Sequence, residues 1–238
     1  TELQEEIVIL ANHVIEAREL TIPTEKEFDK FRSDSYPSLR KTDPTAASFI
    51  YDAITRSLNL QRLLASDGIE SFCRKILFSE AGFNAAINDY QLYLQAPDDD
   101  KNINGVHQDC GFFSEYGSSS SSSVAWIPFT DLSEGEGVIE IIPGSHARGE
   151  LEHATNVASE RKAETTPRNN KGFIYLDSSK YDETKFVPVE VKKTEVVFMD
   201  FRLIHRTGLN HSNKTRVSAI ARFSNMYGKN YIRKYGIW

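Results

Sequence analysis

The sequence predicts a mainly β fold (a sandwich, jelly roll or barrel) that carries helices at its N-terminal end. Three features predict it: amphipathic stripes confined to residues 1–85, short β-type runs from residue 86 onward, and turn-rich spacers between those runs. A length of 238 residues fits one domain, with residues 1–85 as a helical part lying on a core of residues 86–238.

The helical part is read from spacing. Leu3, Ile7, Leu10 and Val14 recur at four- and three-residue steps, one apolar stripe of an amphipathic helix. Polar residues and a proline from Ser38 to Pro44 break the pattern. Asp43-Pro44 then supplies a helix start, and Phe49, Ile50, Ala53, Ile54 and Leu58 form a second stripe. Phe72, Cys73, Ile76 and Leu77 mark a third, short helix.

The strand candidates are Ala86–Gln95, Val124–Asp131, Val138–Ile142, Phe173–Leu176, Phe186–Val191, Glu195–Met199 and Arg216–Phe223. Ala96-Pro97-Asp98-Asp99-Asp100 and Ser133-Glu134-Gly135-Glu136-Gly137 are turn chemistry between them. The six serines Ser118–Ser123 read as a mobile loop, because burial would require every hydroxyl to find a partner. His146–Lys171 is polar and proline-interrupted, a long loop over one end of the core.

Composition narrows the function classes. A net charge of -6 and the lack of a Lys/Arg-rich block argue against nucleic acid as a partner. No apolar run approaches the ~20 residues of a membrane span, and no signal-peptide pattern opens the chain. Two cysteines, Cys73 and Cys110, do not make a disulfide framework, so a reducing cytoplasm is the expected location.

Chemistry concentrates in three places. In His107-Gln108-Asp109, extended backbone lets residues two apart address one point, although a lone His-x-Asp is common without a metal. His205 follows a β-type run, where a lone histidine is as readily structural. Eleven residues later comes Arg216-Val217-Ser218, with Arg216 and Ser218 on one face of a strand. An arginine aimed into a core needs a carboxylate or phosphate to meet it; at a strand end it could instead face outward.

Taken together the pieces are more specific. Two histidines and one carboxylate form a facial triad that leaves three iron positions open for a bidentate 2-oxo acid and dioxygen. A guanidinium then suits the far carboxylate of that acid, through two parallel hydrogen bonds.

The segment from about Ala86 to Asn225 resembles the phytanoyl-CoA dioxygenase family of iron(II)- and 2-oxoglutarate-dependent oxygenases. Val124-Ala125-Trp126-Ile127-Pro128-Phe129-Thr130-Asp131 is similar to the family's tryptophan-bearing strand. Gly137 to His146 resembles its strand and Pro-Gly-Ser-His turn, and His205-Arg206-Thr207-Gly208-Leu209-Asn210 its His-x-Ser/Thr-Gly-x-Asn turn. The resemblance implies a double-stranded β-helix of the jelly-roll or cupin kind. It makes His107, Asp109 and His205 the iron ligands and catalytic centre. Arg216 becomes the partner of the distal carboxylate of 2-oxoglutarate, with help from Thr207 and Ser218, and Trp126 a wall of that pocket. Gln91 and Tyr93 (with Gln95) are expected to face the site, while Tyr90, Leu92 and Leu94 face the helices, because polar side chains inside a small barrel need a polar cavity.

The implied reaction is hydroxylation of an unactivated C–H bond with Fe(2+), 2-oxoglutarate and O2, releasing succinate and carbon dioxide. Asp109 disfavours halogenation, since halogenases of this kind carry a small residue there. Desaturation, epimerisation or ring closure stay open. No basic patch suits a coenzyme A phosphate, and Asp98–Asp100, the serine loop and residues 146–171 are all polar. The expected substrate is therefore a polar small molecule. His13, His153 and His211 read as surface residues, His146 as structural and Cys110 as packing. Two other readings remain: a cupin-like metal-dependent dioxygenase or isomerase without a 2-oxo acid, and a non-catalytic jelly-roll binding module. The first has no use for Arg216 and Thr207, and the second leaves the triad unexplained.

Overall fold

The computed structural model describes residues 1–77, 82–99, 103–113, 122–155 and 174–227. Helices come first: α1 (Glu2–Ala17), α2 (Phe28–Lys30), α3 (Tyr36–Thr42), α4 (Pro44–Thr55), α5 (Leu58–Leu64) and α6 (Asp67–Leu77). The β part contains β1 (Ala85–Gln95), a one-turn α7 (Cys110–Phe113), β2 (Ser122–Pro128) and β3 (Ile139–Ile141). It continues with β4 (Ala154–Thr155), β5 (Ile174–Tyr175), β6 (Val187–Pro188), β7 (Val197–Asp200), β8 (His205–Thr207) and β9 (Arg216–Asn225). Among the described residues no helix is long and apolar enough to cross a membrane.

Three layers result. A four-stranded antiparallel sheet runs β1-β9-β2-β7, and a three-stranded one runs β6-β3-β8. Strand alternation divides β9 between two cores. Val217, Ala219, Ala221 and Phe223 join Leu92 and Leu94 against the helices, in a core with Ile7, Leu39, Ile50 and Leu60. Ile220, Trp126 and Val124 point the other way and meet Val138, Ile139 and Leu203 between the sheets. Arg216, Ser218, Arg222 and Ser224 of β9 share that inner side by the same alternation.

Several expectations change in detail. Ser38–Pro44 is not a break throughout: α3 runs to Thr42, and the break is at Asp43, whose side chain caps α4 by accepting from Thr45 and Ala46 N–H. The helical stretch 28–42 carries a π-helical turn at Phe31–Ser35, which shifts the phase of its buried residues. Phe49 is 54% and Leu58 64% exposed, because Ala46, Ala47, Ile50 and Ile54 form the buried face of α4 and Leu58 begins a separate helix. Phe72 lies at the rim of α6, stacked on Phe198 of β7 with ring centroids 4.2 Å apart.

The last two serines of the six are strand, not loop. Ser122 and Ser123 are buried in β2, where the Ser122 hydroxyl meets that of Ser224 at 2.6 Å and Ser123 donates to Met199 O at 3.0 Å. Each hydroxyl has the partner that burial demands. Ser118 to Ser121, Asp100 and residues 156–171 lie outside the described residues.

Candidate metal centre

The site forms where the segment after β1 meets the start of β8. His107 and His205 pair across an antiparallel bridge, each backbone N–H donating to the other's carbonyl at 3.0 Å. Asp109, two residues on, stands not in extended chain but in the turn that opens α7, where Gly111 N–H donates to Gln108 O and Phe112 N–H to Asp109 O. Ligating atoms of His107, Asp109 and His205 all lie within 4.8 Å of one another, the only such group among the described residues. All three side chains are buried.

Each ring is held from behind. His107 Nδ1 stands 2.7 Å from Gly105 O, and His205 Nδ1 3.0 Å from Leu203 O. A carbonyl only accepts, so each Nδ1 carries a proton, which leaves Nε2 of each ring as the nitrogen that can ligate a metal. Burial, and then the neighbouring His205, push His107 down to about 3, so this ring stays neutral. Burial alone would raise the Asp109 carboxyl, but Arg222 and the two histidines outweigh it, and the net shift is downward. Asp109 Oδ2 lies 3.5 Å from His205 Nε2 and is buried without a hydrogen-bond partner. Two imidazole nitrogens and an orphaned carboxylate oxygen are a donor set suited to a divalent transition metal.

A cavity of about 30 Å³ adjoins the cluster, lined by Tyr93, Trp126, Thr207 and Arg216 among others. Larger clefts of about 530 and 590 Å³ lie against α1 near Phe129 and contain none of the clustered residues. Chemistry, not size, marks the site. Arg216 is buried; its Nη1 donates to Gly137 O at 3.1 Å, while its Nε has no partner. Burial lowers its pKa to about 10, and among the described residues no carboxylate pairs with it. Gly137 has φ +78, and a Cβ there would come within 2.6 Å of Gln95 Oε1 and 3.2 Å of Arg216 Cδ, so glycine makes room for the guanidinium.

The other expected residues divide. Gln91, Tyr93 and Gln95 pair with Ile220, Ser218 and Arg216, which puts them on the inner face. Tyr93 lines the cavity and Gln91 does not. The buried Ser218 hydroxyl, beside Arg216 on β9, has no hydrogen-bond partner, and Thr207 Oγ1 accepts from Asn104 N–H at 3.1 Å. His146 and His13 are exposed, and His211 meets Asp98 at the surface. Cys110 packs in the inter-sheet core. His153 corrects the surface expectation. Its Nε2 accepts the Gln108 N–H at 3.0 Å and its ring covers Gly111. Gln108, the middle residue of the motif, faces away from the cluster. It donates to Gly149 O and Arg202 O and accepts from Leu151 N–H, tying two loops to the ligand segment.

Sequence reading missed Arg222 and Asn104. Arg222 carries a usable signal, being six residues beyond Arg216 on the same strand face, and it donates to Asp109 Oδ1 at 3.0 Å. Asn104, which lines the cavity, has no pattern that would single it out.

Comparison with known proteins gives a family and a fold. A family model described as Phytanoyl-CoA dioxygenase (PhyH) matches residues 18–218. A Dictyostelium discoideum protein named phytanoyl-CoA dioxygenase domain-containing protein 1 homolog is 28% identical over 114 residues, 47% of this chain and 37% of that protein. The match therefore spans little more than a third of that relative's length. Among solved structures, the apo form of ThoJ, titled a non-heme monooxygenase, aligns over 97% of this chain and 72% of its own at a TM-score of 0.59 and 14% identity. EvdO2 from Micromonospora carbonacea var. aurantiaca, complexed with 2-oxoglutarate, aligns over 70% of this chain and 63% of its own at a TM-score of 0.52 and 20% identity. At such identities the two structures speak for the fold.

Proposed function

The chain belongs to the phytanoyl-CoA dioxygenase family, a family of non-haem iron(II)/2-oxoglutarate-dependent oxygenases, and from that premise we propose that it hydroxylates an unactivated C–H bond of a polar small molecule. In this reading the two facing sheets are the halves of a double-stranded β-helix. His107 Nε2, His205 Nε2 and Asp109 Oδ2 hold the iron. When bound, iron, 2-oxoglutarate and dioxygen supply the oxidising chemistry: one oxygen atom enters the substrate as hydroxyl, and the other enters succinate as carbon dioxide leaves.

Arg216 carries the proposal. A buried guanidinium with an unpartnered Nε and no facing carboxylate among the described residues is costly unless an anion arrives. A 2-oxo diacid supplies that anion at its far end and two oxygens for the metal at the other. Ser218 and Thr207 flank Arg216 with hydroxyls, and Trp126 and Tyr93 close the sides of the cavity. Formal charges support the pairing. Asp89, Asp109, Arg222 and Arg216 cancel, and a divalent metal with a dianionic cosubstrate leaves the total unchanged. The protein's own task is to place the target C–H bond and exclude water.

The test is anaerobic. Iron(II) and 2-oxoglutarate added together should give a weak visible charge-transfer band that neither gives alone, and a screen of polar metabolites should find one that stimulates succinate release. Iron binding without any 2-oxoglutarate-dependent band would refute the proposal.

A further inference from the structure

Resting on the reading that His107, Asp109 and His205 hold a metal ion, we propose that Arg222 is the positioning residue for the ligand carboxylate, fixing which oxygen of Asp109 is offered. The buried Arg222 guanidinium bridges two acids. Its Nε–H donates to Asp109 Oδ1 at 3.0 Å, and its Nη1 donates to Asp89 Oδ2 at 2.8 Å. With Oδ1 occupied, Oδ2 is the oxygen turned toward His205 Nε2. Asp109 thus presents a single donor atom, and a carboxylate that gives one oxygen leaves one more metal position open than one that gives two.

The surroundings keep this clamp from swinging. β9 is hydrogen-bonded on both sides, to β1 and to β2, so the Cα of Arg222 is fixed from two directions. Asp89 is its register partner and follows the irregularity between Ile87 and Asp89 in β1. From Asp89 to Gln95 the register is unbroken, so Asp89 stands opposite Arg222 on the inner face that Gln91 and Tyr93 share. The Asp89 side chain is 41% exposed, so its charge stays hydrated while it anchors a cation that is buried.

Two roles for Arg222 make opposite forecasts. If it only balanced the Asp109 charge, removing it would strengthen the grip on a divalent cation, since a neighbouring positive charge repels one. Lysine would then serve equally well. If it positions the carboxylate, both changes weaken binding, because an ammonium is a point charge and cannot hold Asp109 and Asp89 in a fixed fork.

The experiment titrates cobalt(II) into the purified wild type, Arg222→Lys and Arg222→Met, following the visible d–d absorption, with thermal unfolding of each metal-free protein. Both variants are expected to bind cobalt about 10- to 100-fold more weakly, as loss of an outer partner of a metal ligand typically does. The saturated spectrum of each should differ from that of the wild type. Arg222→Lys with wild-type affinity and spectrum, or Arg222→Met binding more tightly than the wild type, overturns the proposal. Should Arg222→Met fail to fold, Arg222→Lys, which keeps the buried charge, decides alone. Absence of cobalt binding by the wild type would instead overturn the metal reading itself, and this proposal with it.

Discussion

His107 and His205 are joined through their own backbones: each N–H donates to the other's carbonyl at 3.0 Å, and the rings stand 4.2 Å apart. They lie 98 positions apart in sequence. Their spacing is thus set by a strand bridge, and each ring's orientation by a carbonyl behind its Nδ1. The site is built before any ligand arrives, the kind of preorganisation that metal sites need.

Loss of either ring should therefore remove metal without unfolding the protein. His107→Ala and His205→Ala leave the backbone bridge intact, since its four atoms are main chain. Each should lose more metal affinity than the about 10- to 100-fold that an outer partner typically costs, with little change in far-ultraviolet circular dichroism. Near-wild-type iron binding by either variant would remove that histidine from the ligand set.

The same burial makes the metal-free protein sensitive to acid. His107 is pushed from 6.5 down to about 3 by burial and by His205. The unfolded chain takes up that proton first, so the contribution of His107 to stability is complete above its ordinary value and is lost as pH falls from there toward about 3. Urea midpoints of the metal-free protein should decline across that window. In His107→Ala the decline should be shallower, and an identical pH profile would contradict the assignment.

Glycine at 208 is a packing requirement. A Cβ there would press directly on the Val138 carbonyl, which accepts the Gly208 N–H at 2.8 Å, and this contact seats the Thr207 end of β8. Gly208→Ala should destabilise by about 1–3 kcal/mol, the usual cost of overpacking. For a chain of this length each kcal/mol lowers Tm by roughly 2–4 °C. Gly68→Ala in α6 meets nothing within 4 Å and should stabilise slightly, so differential scanning calorimetry should show opposite signs.

What the sequence could reveal followed the reach of simple periodicities. His107, Asp109, His205 and Arg216 were legible because alternation places residues two apart on one face, and their order along the chain matched a known pattern. Extending that alternation past Ser218 would have reached Arg222, and extending it back from Gln91 would have reached Asp89. Residues 28–42 show no regular stripe in the sequence, because a π-turn at Phe31–Ser35 brings Phe31, Arg32, Ser35 and Tyr36 inward out of simple helical spacing. Phe49 and Leu58 show the limit of stripe counting, since which face is buried depends on the sheet beneath. His153 is brought to Gln108 by tertiary contacts alone.

Arg216 should show function and stability pulling in opposite directions. Without an anion its guanidinium is desolvated, with a lone hydrogen bond to Gly137 O and its Nε unmatched. Arg216→Met replaces that charge with an apolar side chain of similar length, a change that is often neutral or stabilising in a buried site. The metal-free variant should therefore melt at or above the wild-type temperature. Its affinity for 2-oxoglutarate should collapse, because the distal carboxylate would be buried unpaired at a cost of about 3–5 kcal/mol, between two and four powers of ten. Arg216→Lys should recover only part, since an ammonium cannot offer two parallel hydrogen bonds. Iron affinity should hold in both variants, as neither change touches a ligand. The measurement is anaerobic titration of 2-oxoglutarate into iron-loaded protein, paired with thermal unfolding of the metal-free form. An Arg216→Met protein that binds 2-oxoglutarate normally would take Arg216 out of the cosubstrate site. One that melts well below the wild type would show that the apo protein already satisfies this charge.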